Sequence, residues 1–177
     1  LGDSEALRIY HVLLEKTREA TLGAPADRWL FYSDEIERTD AWPETDFQKF
    51  VQHGADLGTR MAQAFQQAFA AGASKAVIIG SDCPDLSSAL LADAFSRLDH
   101  SDFVLGPSLD GGYYLLGMQA FEPAVFAGIQ WSTDTVAAET LSRIEALSKT
   151  CFLLPVLSDI DTESDWLNYK TAISQFP

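Results

Sequence analysis

Four stretches of the chain repeat apolar residues every three or four positions, and short unbroken apolar runs lie between them. Ala6, Ile9, Tyr10, Leu13 and Ala20 share one side of a helix opened by Asp3 or Ser4 and ended near Gly23-Ala24-Pro25. Leu57, Met61, Ala64, Phe65, Ala68 and Phe69 predict a second helix that stops at Gly72. Leu91, Ala94, Phe95 and Leu98 predict a third, opened by Ser87 or Ser88. Val136, Ala137, Leu141, Ile144 and Leu147 predict a fourth, capped by Ser132 or Thr133. The runs between them read as strands: Arg28–Tyr32, Lys75–Gly80, Asp102–Leu105, Tyr113–Gly117 and Phe152–Leu154. The stretch Ala76-Val77-Ile78-Ile79 is apolar without alternation, as in a strand buried on both faces. A terminal helix follows Thr162, with acids in its first turn to suit the helix dipole. Alternating helices and strands without repeats or low-complexity linkers predict one α/β domain on a mostly parallel sheet.

Composition narrows the function. At 177 residues with 47% hydrophobic side chains, one core is expected. A net charge of −14 argues against binding nucleic acid or anionic lipid. Six acids and one base between Asp34 and Asp46 predict a solvated loop. No apolar run reaches the ~18 residues of a membrane span, and no signal peptide is recognisable. Cys83 and Cys151 form no CxxC pair, so neither a zinc cluster nor a disulfide scaffold is indicated and a reducing cytoplasm fits. His11, His53 and His100 are scattered, and no Ser-His-Asp order suggests acyl transfer. Cys83 reads as a packing residue, because no basic neighbour in sequence would lower its pKa.

Open parallel sheets gather ligands beyond the carboxyl ends of their strands. That rule singles out Ser81-Asp82 after Ile78-Ile79-Gly80, where a carboxylate suits Mg²⁺ or Mn²⁺ and a cap of the turn before Pro84 is the plainer role. It also singles out Gly106-Pro107-Ser108-Leu109-Asp110-Gly111-Gly112, whose glycines permit close ligand approach and whose Asp110 adds a carboxylate; an ordinary Asp-Gly turn is the alternative. Asp159 and Asp161 follow the last strand, where either could meet the same ion or simply begin the terminal helix. Arg60 can meet phosphate or pair with an acid, and base rates favour the salt bridge.

The segments GADLGTRMAQAF (54–65), IIGSDCPDLS (78–87), VLGPSLDGGYYLLG (104–117), IQWSTDTV (129–136) and DIDTESDW (159–166) together resemble a bacterial family of small GT-A-like proteins. That family is described as nucleotide-diphospho-sugar transferases or glycosyltransferases of arsenosugar biosynthesis. The resemblance implies a single-domain, three-layer α/β/α sandwich over 1–177 and a divalent cation, Mg²⁺ or Mn²⁺, held by Asp82. It also raises Asp161 above Asp159 as the second ligand. It implies a nucleotide-diphosphate sugar as donor and a small acceptor as partners. Asp110 then orients the acceptor or acts as base, Gly106, Gly111 and Gly112 shape the floor, and Arg60, Ser81, Trp131, Ser132 and Thr133 contact substrate. Similarity to 2-phospholactate guanylyltransferases implies nucleotidyl transfer as a rival chemistry, and a non-catalytic nucleotide-sugar binder is a second rival. Members usually begin with an apolar strand and a basic loop that have no counterpart before Leu1. From this an incomplete record is expected, with the neighbours of a central strand left uncovered.

Overall fold

A computed structural model describes residues 2–174 of the chain. Its elements run α1 (Asp3–Leu22), β1 (Trp29–Tyr32), β2 (Gln48–Val51), α2 (Leu57–Ala70), β3 (Ala76–Ile79), α3 (Ser88–Arg97), β4 (Phe103–Pro107) and β5 (Tyr113–Met118). A 3-10 turn (Pro123–Phe126), α4 (Val136–Ala146), β6 (Cys151–Leu153) and α5 (Glu163–Ser174) complete them. Among the described residues no helix is long and apolar enough to cross a membrane.

The strands form two sheets. A larger one has the order β3-β5-β4-β6, and β1 and β2 pair separately and in parallel. Within the larger sheet β4 and β6 are parallel, whereas β5 runs antiparallel to both its neighbours. Strands β3, β4 and β6 therefore point one way and β5 the other, so the sheet is mixed where a mostly parallel one is predicted. The cause is the connection between β4 and β5: residues 108–112 form a tight turn, far shorter than the dozen or so residues a parallel crossover needs.

Alternation along the strands builds three layers. Val104 and Leu115 join Ala20 of α1 and Leu91 and Ala94 of α3 on one face. On the other face, Phe103, Leu105, Leu116 and Met118 join Met61 and Phe65 of α2 and Ala137 and Ile144 of α4. Helix α5 docks on α1 through Trp166 against Ile9 and Leu13.

Asp56 caps α2 by accepting from Thr59 N–H at 2.7 Å, and Ser87 caps α3 by accepting from Leu90 N–H at 3.3 Å. Two other caps differ from the sequence expectation. Helix α1 starts from Gly2, whose carbonyl accepts from Glu5 and Ala6 N–H, and Asp3 lies within its first turn. Helix α4 starts from Thr135 without a side-chain cap, because the carbonyl of Gly111 accepts from Ala137 N–H at 2.9 Å and supplies the missing partner.

Strand β2 is absent from the sequence expectation, since Gln48 and Lys49 interrupt any apolar pattern. The acidic excursion before it is held from within. Lys49 Nζ donates to Asp40 Oδ1 at 2.7 Å and to the carbonyl of Glu37 at 2.7 Å, and the Tyr32 hydroxyl donates to Asp40.

Candidate functional site

Because β3, β4 and β6 point the same way, the segments after them emerge on one rim. Asp82 follows β3, Asp110 follows β4, and Asp159 and Asp161 follow β6. The backbone fixes their meeting. Leu157 N–H donates to Pro107 O at 3.1 Å, Leu109 N–H to Leu157 O at 3.0 Å, and Ile160 N–H to Asp82 O at 2.9 Å. The segment after β6 is thereby tied to both other loops.

Two of these carboxylates, Asp82 and Asp159, are shifted by their surroundings. Burial pushes Asp82 up from the usual aspartate value, and the charges of Asp161 and Asp110 push the same way. Asp159 is pushed up to about 6 by burial, which a hydrogen bond with Ser108 partly offsets and the charges of Asp82, Asp110 and Asp161 reinforce. Gly80 makes room for Asp82: a Cβ there would lie 2.6 Å from Asp82 Oδ1. Asp110 accepts from Gly112 N–H at 2.9 Å through Oδ1, an Asx turn that aims the carboxylate at the rim.

Asp82, Asp110, Asp159 and Asp161 open on one cavity of about 1920 Å³, also lined by Arg60, Ser108, Gly112, Trp131, Ser132 and Thr133. Ser81 is exposed beside Asp82 on this rim, and its carbonyl receives a long 3.4 Å bond from the Thr17 hydroxyl. Trp131 lies over Gly58 so closely that a side chain there would collide with the indole. Ser132 adopts a left-handed backbone at φ 63°, and the Thr133 hydroxyl donates to Gln130 O at 2.8 Å.

Three expectations change. Gly106 lies buried in β4, where a Cβ would strike the Tyr114 ring, so it is a packing position and no floor for a ligand. Gly111 serves the turn: its φ is +90° and a Cβ would run into the backbone of Asp134. Arg60 has no carboxylate partner among the described ion pairs. It donates instead to Gly54 O at 3.3 Å and Gln52 Oε1 at 3.4 Å, so the favoured salt bridge is replaced by neutral acceptors. Cys83 is buried, and burial pushes its thiol up to about 12, in line with a packing role.

Ser108 escapes a sequence reading, and Asp159 has surroundings that spacing does not show. Ser108 Oγ and Asp159 Oδ1 are both buried in the cavity lining, and the Ser108 hydroxyl acts on the Asp159 carboxyl, lowering its pKa against the rise that burial causes. Ser108 stands two positions before Asp110, and that spacing was its only signal. Asp159 is the more buried of the Asp159–Asp161 pair.

Among the described residues no three His, Cys, Asp or Glu side chains form a ready-made metal cage. The donor set still suits Mg²⁺ or Mn²⁺. Such hard cations take one or two carboxylates and complete their shells with water and substrate phosphate. The half-buried carboxylates of Asp82 and Asp159 and the space left by Gly80 fit that chemistry.

A family model described as "Uncharacterized protein conserved in bacteria (DUF2064)" matches residues 16–133. A solved structure from Desulfovibrio desulfuricans G20, described as a "putative nucleotide-diphospho-sugar transferase", is 32% identical. The match covers 97% of this chain and 77% of that one, at a TM-score of 0.87. Rv0371c from Mycobacterium tuberculosis H37Rv is 15% identical over 90% of this chain and 81% of its own, with a TM-score of 0.58. The same protein solved in complex with manganese also gives 0.58 at 15% identity, over 88% of this chain and 84% of its own. At that identity the likeness shows the fold alone. No curated protein matches.

Proposed function

We propose that this chain, which belongs to the bacterial DUF2064 family, moves a sugar from a nucleotide-diphosphate donor to a small acceptor with the help of Mg²⁺ or Mn²⁺. The observation that carries the reading is that four carboxylates, delivered from the ends of three co-directional strands, line one cavity. Likeness to the Desulfovibrio transferase supports the donor class. The manganese complex of a protein with the same fold supports the metal.

In this reading Asp82 and Asp161 hold the cation. When bound, it offsets negative charge on the donor's diphosphate as the nucleotide departs. The chain's own residues do the rest. Asp110 has one oxygen fixed by Gly112 N–H. The other is available to accept the acceptor's hydroxyl proton or to orient that hydroxyl. The buried Ser108 hydroxyl lines the same cavity and acts on the Asp159 carboxyl. Trp131, fixed over Gly58, supplies an apolar wall against which a sugar or base can lie.

The test is product analysis with Mn²⁺, a panel of nucleotide-diphosphate sugars and small acceptors. Release of nucleoside diphosphate with transfer of the sugar is expected. Pyrophosphate release from a nucleoside triphosphate would replace this reading with nucleotidyl transfer, and donor binding without turnover would replace it with a binding protein.

A further inference from the structure

A second, smaller cavity adjoins the first. Its volume is about 340 Å³, at the lower end of the roughly 300–1,000 Å³ of small-ligand pockets and suited to one molecule of monosaccharide size. The sequence of α2 explains its position. Met61 and Phe65 turn one stripe of the helix into the core. Arg60, Gln63, Ala64 and Gln67 form the stripe beside it, at the three- and four-residue spacing of one helix face. That stripe lines the cavity from one side, and Phe31 of β1 and Val51 of β2 line it from the other. Phe31, Gln52, Arg60 and Ala64 also line the large cavity, but none of the four rim aspartates lines the small one.

Its chemistry departs from that of the chain as a whole. Acids outnumber lysine and arginine by 26 to 12, yet among the described residues no Asp or Glu lines this cavity. With no negative charge to meet it, a metal cation is excluded as the ligand. Four of the chain's eight glutamines do line it, Gln52, Gln63, Gln66 and Gln67, so the wall consists of neutral amides that both donate and accept hydrogen bonds. Hydroxyl groups also do both, and match them. Phe31 supplies an apolar surface, held by stacking on Phe50 with 5.2 Å between ring centres.

Arg60 adds a permanent positive charge. The Gln52 side chain holds it in place: its Nε2 donates to the Phe31 carbonyl at 3.3 Å, and its Oε1 accepts from Arg60 Nη1 at 3.4 Å. Arg60 Nε donates to Gly54 O at 3.3 Å. Both Arg60 bonds are long, both acceptors are neutral and neither bond uses Nη2. Asp56, the nearest acid along the chain, caps α2 through Thr59 N–H at 2.7 Å, and Arg60 acts on its carboxyl less than that bond does. The guanidinium is thus oriented without being neutralised, which suits a charge-assisted bond to a ligand carboxylate. One guanidinium balances one carboxylate, whereas a phosphate monoester at about −1.5 to −2 would be left partly uncompensated.

We propose that this cavity binds a small polyhydroxylated carboxylic acid, a sugar acid in chemical class, with its carboxylate on Arg60, its hydroxyls on the glutamine amides and its carbon skeleton against Phe31. The inference rests on this cavity alone and is independent of the transferase reading.

Titration with glucuronate in metal-free buffer, followed by NMR of the glutamine side-chain amides, tests it, with glucose and inorganic phosphate as comparisons. Glucuronate is expected to shift the side-chain amides of Gln63 and Gln67 saturably. Glucose is expected to bind about tenfold more weakly or worse, and Arg60→Gln to weaken glucuronate by a similar factor. Gln67→Ala, at an exposed position, is expected to lower the affinity with the backbone spectrum otherwise unchanged, and serves if Arg60→Gln does not fold. Absence of saturable shifts at these amides in millimolar glucuronate would overturn the proposal. So would glucose binding as tightly as glucuronate, phosphate displacing glucuronate at equal concentration, or glucuronate affinity that survives Gln67→Ala and any folded Arg60→Gln.

Discussion

The amide of Ile160 donates to the carbonyl of Asp82 across 2.9 Å, joining the loop after β3 to the acidic segment before α5. That single bond places one aspartate on each side of the junction, Asp159 and Asp161, beside Asp82. Their mutual repulsion is the expected condition of a site built to receive positive charge.

Asp82→Asn should reduce Mn²⁺-supported binding of a nucleotide-diphosphate donor by more than tenfold and leave the fold intact. Its raised pKa marks an unfavourable buried charge, so the variant's melting temperature should equal or exceed that of the parent. Calorimetry and thermal unfolding read the two effects separately. Unchanged donor affinity would remove Asp82 from the site.

The pH dependence follows from Asp159. Folding raises it from the ordinary 3.8 to about 6, so between those values the folded chain binds more protons than the unfolded one. Stability from this group is then full below about pH 4 and declines as pH rises toward 6. Urea unfolding in metal-free buffer should show that decline, and Asp159→Asn should flatten it. Divalent metal favours the ionised form, so Mn²⁺ affinity should rise over the same interval with release of protons.

The excursion between β1 and β2 depends on a buried ion pair. The side chain of Lys49 is 4% exposed and that of Asp40 17%, so the pair is desolvated and loss of Lys49 leaves the Asp40 charge to the neutral Tyr32 hydroxyl and Trp42 N–H alone. Lys49→Met should cost about 3–5 kcal/mol, measured by denaturant unfolding. A cost near zero would mean that the Tyr32 hydroxyl and Trp42 N–H suffice to hold the Asp40 charge.

Gly111→Ala tests the turn that sets Asp110. With φ at +90° and Asp134 backbone in the way of a Cβ, the substitution should destabilise by more than about 1 kcal/mol. Because the Gly111 carbonyl also accepts from Ala137 N–H, α4 should fray at its start, visible as faster amide exchange at Ala137.

Much of this was legible in the sequence, and the rest was lost for definable reasons. The helices and the strands β1, β3, β4, β5 and β6 announced themselves through apolar spacing, and the strand-end rule led to Asp82, Asp110 and the Asp159–Asp161 pair. Strand β2 left no such mark, because its stability comes from pairing with β1 and from Lys49 beneath the acidic loop. The direction of β5 depended on the length of one turn. Gly106 looked like a ligand-facing glycine until Tyr114 was seen to occupy the space above it. The burial of Asp159 depends on the loops packed over it, which spacing does not reveal.

The most direct measurement is an anomalous-scattering map of crystals grown with Mn²⁺ and a nucleoside diphosphate. A single manganese peak within coordination distance of Asp82 and Asp161, with diphosphate oxygen completing the shell, is the predicted result. Manganese bound elsewhere, or diphosphate lying in the cavity with no metal at these two carboxylates, would contradict the account.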